Sequence, residues 1–386
     1  MTDYDVIIVG GRVAGASTAL LLAPAGWRVL VVDRARRGSD TLSTHALMRP
    51  GVLQLERWGL LDEVIAAGTP GQDRVVFHYG NDRIELETSR RLYAPRRTVL
   101  DPILVAAAER SGAEFRFGVD VRGLLRDRDG RVAGIRARDE HGATVELRAA
   151  MTVGADGRRS RVAREVDAPV TRHGTNAGAA IYGYWTDVET AGYEWCFRPG
   201  AGTGLIPTND GQVCVFAGAP ARRFLDELRH DPEDGLRHLL EETTPAVAAR
   251  VAAGRRVERA RGFPGLRGWL RRPWGPGWAL VGDAGSFKDP ITAHGITDAL
   301  RDAELLARAL DRLLCGDMDP AQALAGYECA RDELLVPVFD ATDAVAGFDW
   351  TLAEVQQLHL AMSDVMQREI DALAALAPPP RALVPA

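Results

Sequence analysis

Three short stretches of this chain set glycines at the end of an apolar run, and in the second and third an aspartate stands beside them. The first is Gly10-Gly11-Arg12-Val13-Ala14-Gly15, between the apolar run 6–9 and the small-residue stretch 13–22. In a G-x-G-x-x-G turn the first glycine permits the tight turn and the second lets backbone approach a pyrophosphate. The third allows close packing of helix on strand. Gly10 and Gly15 hold the first and third places, and Arg12 stands in the second. If that position needs a left-handed backbone, the arginine costs roughly 1–2 kcal/mol. A charge-assisted bond to phosphate returns about 1.5–3 kcal/mol. Asp33 ends the next apolar run, 29–32, near the spacing of a ribose hydroxyl acceptor. Together these residues point to nucleotide binding.

The second stretch is VGADGRRSRVARE (153–165), with Asp156-Gly157, and the third is LVGDAGSFKDPITAHGITDALRDAELLARAL (280–310), with Gly282-Asp283. Each apolar run leads through Gly and Asp into a helical pattern, and a capped helix start is the competing reading for either alone. Two histidines lie in promising places. His45 follows Ser43 and Thr44 in SDTLSTHALMRPGV (39–52), and His294 lies inside the third stretch. A histidine with a near-neutral pKa handles protons, and a histidine that only caps or packs is the alternative.

The elements that position these residues follow from periodicity. Residues 6–9, 13–22 and 29–33 form a βαβ unit. Helices are predicted at 50–58, 60–66 and 98–111, and a hairpin at 74–79 and 83–87 about the turn Gly80-Asn81-Asp82. Strands follow at 114–117, 121–126, 132–138 and 149–153. From 179 to 218 aromatic and β-branched residues alternate, as in AAIYGYWTDV, which predicts an antiparallel sheet with one buried face. Helical segments are predicted at 221–230 and 232–242, and a buried parallel-type strand at 279–281. Residues 295–376 read mostly as helix up to the APPP breaker. The expected fold class is α/β: a Rossmann-like nucleotide domain with an inserted antiparallel β-sheet substrate domain and a helical C-terminal tail. The expected division is 1–70, 94–175 and 275–345 for the nucleotide domain, 71–93 and 176–274 for the β domain, and 346–386 for the tail.

The chain has 386 residues, 46% hydrophobic and 26% charged, with a net charge of −6. That composition belongs to a globular protein, and the absence of a basic excess argues against nucleic acid as a partner. Cys196, Cys214, Cys315 and Cys329 show no CxxC spacing, so no metal site is expected. Asp3 and Asp5 precede the first apolar run with no basic leader, and no apolar stretch has transmembrane length. A cytoplasmic protein is expected.

The three motifs, in this order, resemble the FAD-dependent monooxygenases of the para-hydroxybenzoate hydroxylase fold over about residues 5–310. The resemblance implies that Gly10 to Gly15, with Asp33, hold the ADP part of FAD, and that Asp156-Gly157 serves the flavin side and nicotinamide docking. It implies that Gly282-Asp283 contacts the ribityl and pyrophosphate region. Backbone groups at Gly295 and Ile296, after Pro290, would meet the flavin's pyrimidine carbonyl, where the helix dipole favours a reduced, anionic flavin. The family's R-x-x-L arginine matches Arg97, with Leu100. Val121 matches the position whose backbone holds adenine, and Arg34 is a candidate along the adenine, with a plain surface role as its alternative. Ser43, Thr44 and His45 are flavin-side candidates.

The implied reaction is reduction of FAD by NAD(P)H, addition of molecular oxygen at flavin C4a, and delivery of one oxygen atom from that peroxide to a small apolar or aromatic substrate. Tyr182, Tyr184, Trp195, Phe197 and Phe216 are candidate pocket walls, with ordinary core packing as the alternative for each. The motif GGRVAG also resembles geranylgeranyl reductases, so an FAD-dependent reductase or dehydrogenase is the second reading. Flavin halogenases share the fold, but their W-x-W-x-I-P stretch is absent, and the chain's single lysine, Lys288, lies in the third motif. A non-catalytic prenyl-protein escort is the remaining alternative, disfavoured by the intact Asp156 and Asp283 motifs.

Overall fold

A computed structural model describes residues 2–378. The last two prolines of the APPP breaker, Pro379 and Pro380, lie outside the described residues, as does the remainder of the expected tail to 386.

The N-terminal strand Tyr4–Val9 sits at the centre of a parallel sheet, because Ile7 and Ile8 are buried on both faces. It pairs in parallel with Val29–Asp33 on one side and with the C-terminal half of Thr144–Gly154 on the other. Glu114–Phe117 and Trp278–Leu280 extend the sheet outward, also in parallel. Strand Thr144–Gly154 is longer than the expected 149–153. Its first half pairs antiparallel with Val132–Arg138, so one strand joins a β-meander to the nucleotide-type sheet. Helices Val13–Leu22, Arg97–Arg110 and Gly295–Leu314 cover one face, where small residues such as Ala16 and Ala19 let helix Val13–Leu22 approach closely.

The second sheet contains Gly178–Thr186, Val213–Pro220, Ala201–Pro207 and Tyr193–Arg198 as antiparallel neighbours. The hairpin Gln72–Tyr79 with Asp82–Leu92 joins its edge by pairing Gln72–Tyr79 in parallel with Tyr193–Arg198. The expected wholly antiparallel sheet therefore has one parallel junction, formed between segments over 100 residues apart that local alternation does not connect. Helices Pro232–Thr243 and Pro245–Ala253 cover the outer face. The inner face carries Tyr182, Tyr184, Tyr193, Trp195, Phe197 and Phe216 in one apolar cluster.

The C-terminal residues form helices Pro320–Val345 and Leu352–Ala375. Thr351 starts the second with a complete capping box, its hydroxyl on the Glu354 N–H and the Glu354 carboxylate on the Thr351 N–H. This helix packs on Arg49–Arg57 and along the inner aromatic face, so it forms a wall of the molecule's interior.

Candidate active site

The three glycine-containing loops meet. A Cβ on Gly10 would fall 2.3 Å from the Ala155 carbonyl oxygen, next to Asp156, and one on Gly15 would fall 1.8 Å from the Gly10 oxygen. Gly10 has φ +109°, which only glycine adopts freely. Gly282, at φ +60°, brings the third loop to 2.9 Å from the Ala14 Cβ by the same measure. The glycines thus bring the three strand ends to one point at the carboxyl edge of the parallel sheet, where open α/β sheets hold their ligands.

Arg12 resolves differently from the sequence expectation. Its backbone is extended, φ −94° and ψ −162°, so the left-handed cost does not arise. Its guanidinium reaches Asp101 at 3.4 Å, Ser39 Oγ at 3.2 Å and the Asp40 carbonyl at 3.3 Å. Asp101 also receives two bonds from Arg97, at 2.8 and 3.0 Å, so both candidate arginines share one buried carboxylate. Asp33 accepts the Gly11 N–H and the Ala35 N–H, each at 2.7 Å, and this fixes the loop. Arg34 is exposed and makes no side-chain hydrogen bond among the described residues. Val121 is buried, two residues beyond the N–H that bonds the Asp33 carbonyl.

Asp156 turns inward on its own chain. It accepts Ser160 Oγ at 2.5 Å and the Arg161 N–H at 2.6 Å, which anchors the short helix Arg161–Glu165. Gly157, at φ +74°, allows the turn between them. Asp283 has no hydrogen-bond partner among the described residues. Burial pushes its pKa up to about 6, and Arg158 opposes the shift.

Both histidines depart from the near-neutral expectation. His45 is buried, and its pKa is pushed well below the usual value by desolvation and by Arg96, Arg97 and Arg261. Its Nε2 bonds the Tyr184 hydroxyl, and Nδ1 has no partner among the described residues. His294 is pushed down to about 4 by burial and the Lys288 charge. Its Nδ1 donates to the Thr292 carbonyl at 2.6 Å, which leaves Nε2 as a buried acceptor without a partner among the described residues. Both rings are neutral at pH 7, so neither is a near-neutral proton carrier. The backbones of His45 (φ +66°) and Ala293 (φ +53°) are left-handed, so strain is held in the two loops beside the site. Those loops are stitched to the next helix, where the Met48 N–H donates to Thr297 Oγ1 at 3.1 Å.

A cavity of about 510 Å³ opens beside His294, Ile291 and Thr292, within the usual range of small-molecule sites. Phe77, Tyr79, Tyr193, Trp195 and Phe197 form its aromatic side. Gln356, His359, Met362, Ser363 and Met366 of the C-terminal helix close it from the other. Of the five expected wall residues, Trp195 and Phe197 line this cavity, whereas Tyr182, Tyr184 and Phe216 do not. The strand order is the reason. The cavity lies over Tyr193–Arg198 and the hairpin at one end of the sheet, and Gly178–Thr186 lies several strands away. There Tyr184 stacks under the Arg96 guanidinium at 3.8 Å and bonds His45, and Tyr182 accepts the Ser43 N–H. Phe216 packs edge-on against Trp195.

Sequence reasoning passed over His359, Tyr79 and Arg49. Tyr79 Oη and His359 Nδ1 lie 2.8 Å apart. Burial raises the tyrosine to beyond its ordinary range and lowers His359 to about 4, so the pair is neutral. The available signal was the helical recurrence of Gln356, His359, Ser363 and Met366 along one face.

The family described as FAD binding domain matches residues 3–341. The chain belongs to that family, and it is an FAD-dependent oxidoreductase. It is 28% identical to digeranylgeranylglycerophospholipid reductase 2 of Methanopyrus kandleri, over 86% of this chain and 83% of the relative. It is also 28% identical to an aklavinone 12-hydroxylase of Streptomyces peucetius subsp. caesius, over 82% of this chain and 69% of the relative. The solved structure of the flavin-dependent brominase Bmp2 superposes with a TM-score of 0.82 at 18% identity, covering 95% and 93% of the two chains.

The residues present fit FAD. Helices Val13–Leu22 and Gly295–Leu314 both start without a side-chain cap, so their first N–H groups are available to phosphate and to a flavin carbonyl. A side chain at Gly295 would meet nothing within 4 Å, which marks open space at that helix start. The unpartnered Asp283 carboxylate suits hydroxyl donors such as those of a ribityl chain.

Proposed function

We propose that this oxidoreductase is an NAD(P)H-driven monooxygenase that places one atom of molecular oxygen into a small aromatic substrate. The observation that carries the reading is the aromatic cavity of about 510 Å³ beside Ile291, Thr292 and His294. Bound FAD supplies the redox chemistry with oxygen. The loops at Gly10–Gly15 and Asp33 hold its adenosine end, with Val121 nearby. Asp283 takes ribityl hydroxyls, and the N–H groups of Gly295 and Ile296 favour negative charge on the ring. Thr44, His45 and Pro290 belong to the loops that would stand beside bound FAD. Neutral His294 presents an acceptor at Nε2, and Tyr79 with His359 presents a neutral polar pair to the substrate. Helix Leu352–Ala375 walls one side of the cavity and reduces its contact with solvent.

Two observations weigh against the alternatives. A lipid bearing two geranylgeranyl chains is far larger than this cavity, which disfavours the reaction named for the archaeal relative. A halogenase of this fold needs a lysine near its substrate, and Lys288 is instead tied to Asp298 in a buried ion pair. A cytoplasmic setting, with its nicotinamide supply, completes the reading; among the described residues no helix is long and apolar enough to cross a membrane.

The test is NAD(P)H consumption by the FAD-loaded protein with a panel of hydroxylated aromatic acids and polyketide-like rings, under labelled oxygen. The expected product gains one labelled oxygen atom. A product that instead gains two hydrogens without oxygen overturns the reading in favour of a reductase.

A further inference from the structure

Arg49 differs from the other arginines around the site. It lines the cavity, and one guanidinium nitrogen donates to the carbonyl and hydroxyl oxygens of Ser363, both at 3.1 Å. These bonds run from the helix start at Arg49 to the C-terminal helix and hold the fork in place. Among the described residues no carboxylate lies within ion-pairing distance of it. Arg12, Arg96, Arg97 and Arg301 each have one. Burial lowers the Arg49 pKa, and no neighbouring acid restores it. Glu87 is also on the cavity wall, but it is exposed and not paired with Arg49.

A half-buried cation without an anion is costly, and this one sits in the first turn of helix Arg49–Arg57, where the helix dipole adds positive potential. An anion in the cavity relieves both costs. The planar fork has donors beyond those used by Ser363, and its geometry matches a carboxylate. Phe77, Tyr79, Tyr193, Trp195 and Phe197 form one side of the same wall, which suits a ligand that also carries rings.

We propose that Arg49, held by Ser363, is the anchor for the carboxylate of an aromatic acid bound in this cavity. The inference rests on the assignment of the cavity to substrate. It orients the ligand: the carboxylate sits at the Arg49 wall and the rings lie across Trp195 and Phe197, toward Ile291 and His294. Arg49 is thus a specificity residue that selects acids over neutral isosteres.

The test reads binding alone, by flavin absorbance changes in the FAD-loaded protein. The probes are matched pairs: 3-hydroxy-2-naphthoate with its amide, and biphenyl-4-carboxylate with its amide. At least one acid is expected to bind roughly ten- to a hundredfold more tightly than its amide. Arg49→Met should bring that acid to the level of the amide and leave amide binding and FAD content unchanged. Arg49→Lys should restore part of the preference. The proposal is overturned if no acid outbinds its amide, if Arg49→Met keeps the preference, or if Arg49→Met loses FAD, which would make the arginine a cofactor ligand. Because no turnover is read, failure of the monooxygenase reading leaves this result standing, and the converse also holds.

Discussion

The cofactor cleft and the aromatic cavity adjoin, yet they are built in opposite ways. The cleft is made of backbone. At Gly10, Gly15 and Gly282 strand ends and loops approach so closely that an added Cβ would fall within 3 Å of a neighbouring atom. The cavity is made of side chains, drawn from the hairpin, strand Tyr193–Arg198, the 290–294 loop and a helix near the C-terminus. A backbone site tolerates almost no change at its glycines, whereas a side-chain site tolerates change and answers with altered specificity. That contrast explains how relatives of one fold carry the names of a reductase, a hydroxylase and a brominase.

The sharpest way to break the contrast is Gly15→Ala. The added methyl would lie 1.8 Å from the Gly10 oxygen, so loop and helix must separate. A destabilisation of about 3 kcal/mol is expected, with most FAD lost on purification. Thermal unfolding and the visible flavin absorbance of the purified protein check it. Retention of full FAD would show that the cleft is more pliant than its contacts imply.

Met366→Trp is the corresponding change in the cavity. It fills space beside the aromatic wall, so FAD content should stay the same while the KM for an accepted substrate rises about tenfold, roughly 1.4 kcal/mol. Loss of FAD together with substrate would mean the two regions are not separable.

The smallest expected effect is on pH dependence. His359 has a folded-state pKa of about 4, below the ordinary histidine value. The unfolded chain therefore binds more protons there, and stability that is complete above about pH 6.5 declines as the pH falls toward 4. His359→Gln should flatten part of that decline in urea unfolding followed between pH 7 and 4. His294 has the same sign on the cofactor side, so a decline should remain in the variant. An unchanged slope would place His359 in contact with water.

The sequence made the cleft legible because its constraints are local. Gly10, Gly15 and Gly282 are needed by their own turns, and each aspartate follows an apolar run whose direction is already set. Arg12 marks the boundary of that legibility. Its residue type raised the question of strain, and only the backbone angles, with the bonds to Asp101 and Ser39, answered it. The histidines show the same limit: their positions were readable, but their low pKa values come from burial and from arginines distant in sequence.

The cavity was hardly legible. Tyr182 and Trp195 look equivalent in an alternating pattern, because alternation tells which face a side chain takes and not which strands become neighbours. The parallel pairing of Gln72–Tyr79 with Tyr193–Arg198 chose the end of the sheet where the cavity lies. Helix Leu352–Ala375 reads as a tail by its composition, and its contact with Arg49–Arg57 makes it a wall. By itself the sequence determined the strand–loop–helix units and the nucleotide chemistry at their turns, since those depend on neighbouring residues and backbone geometry. Tertiary structure alone decided the aromatic cavity, because its surface exists only once segments hundreds of residues apart have packed together.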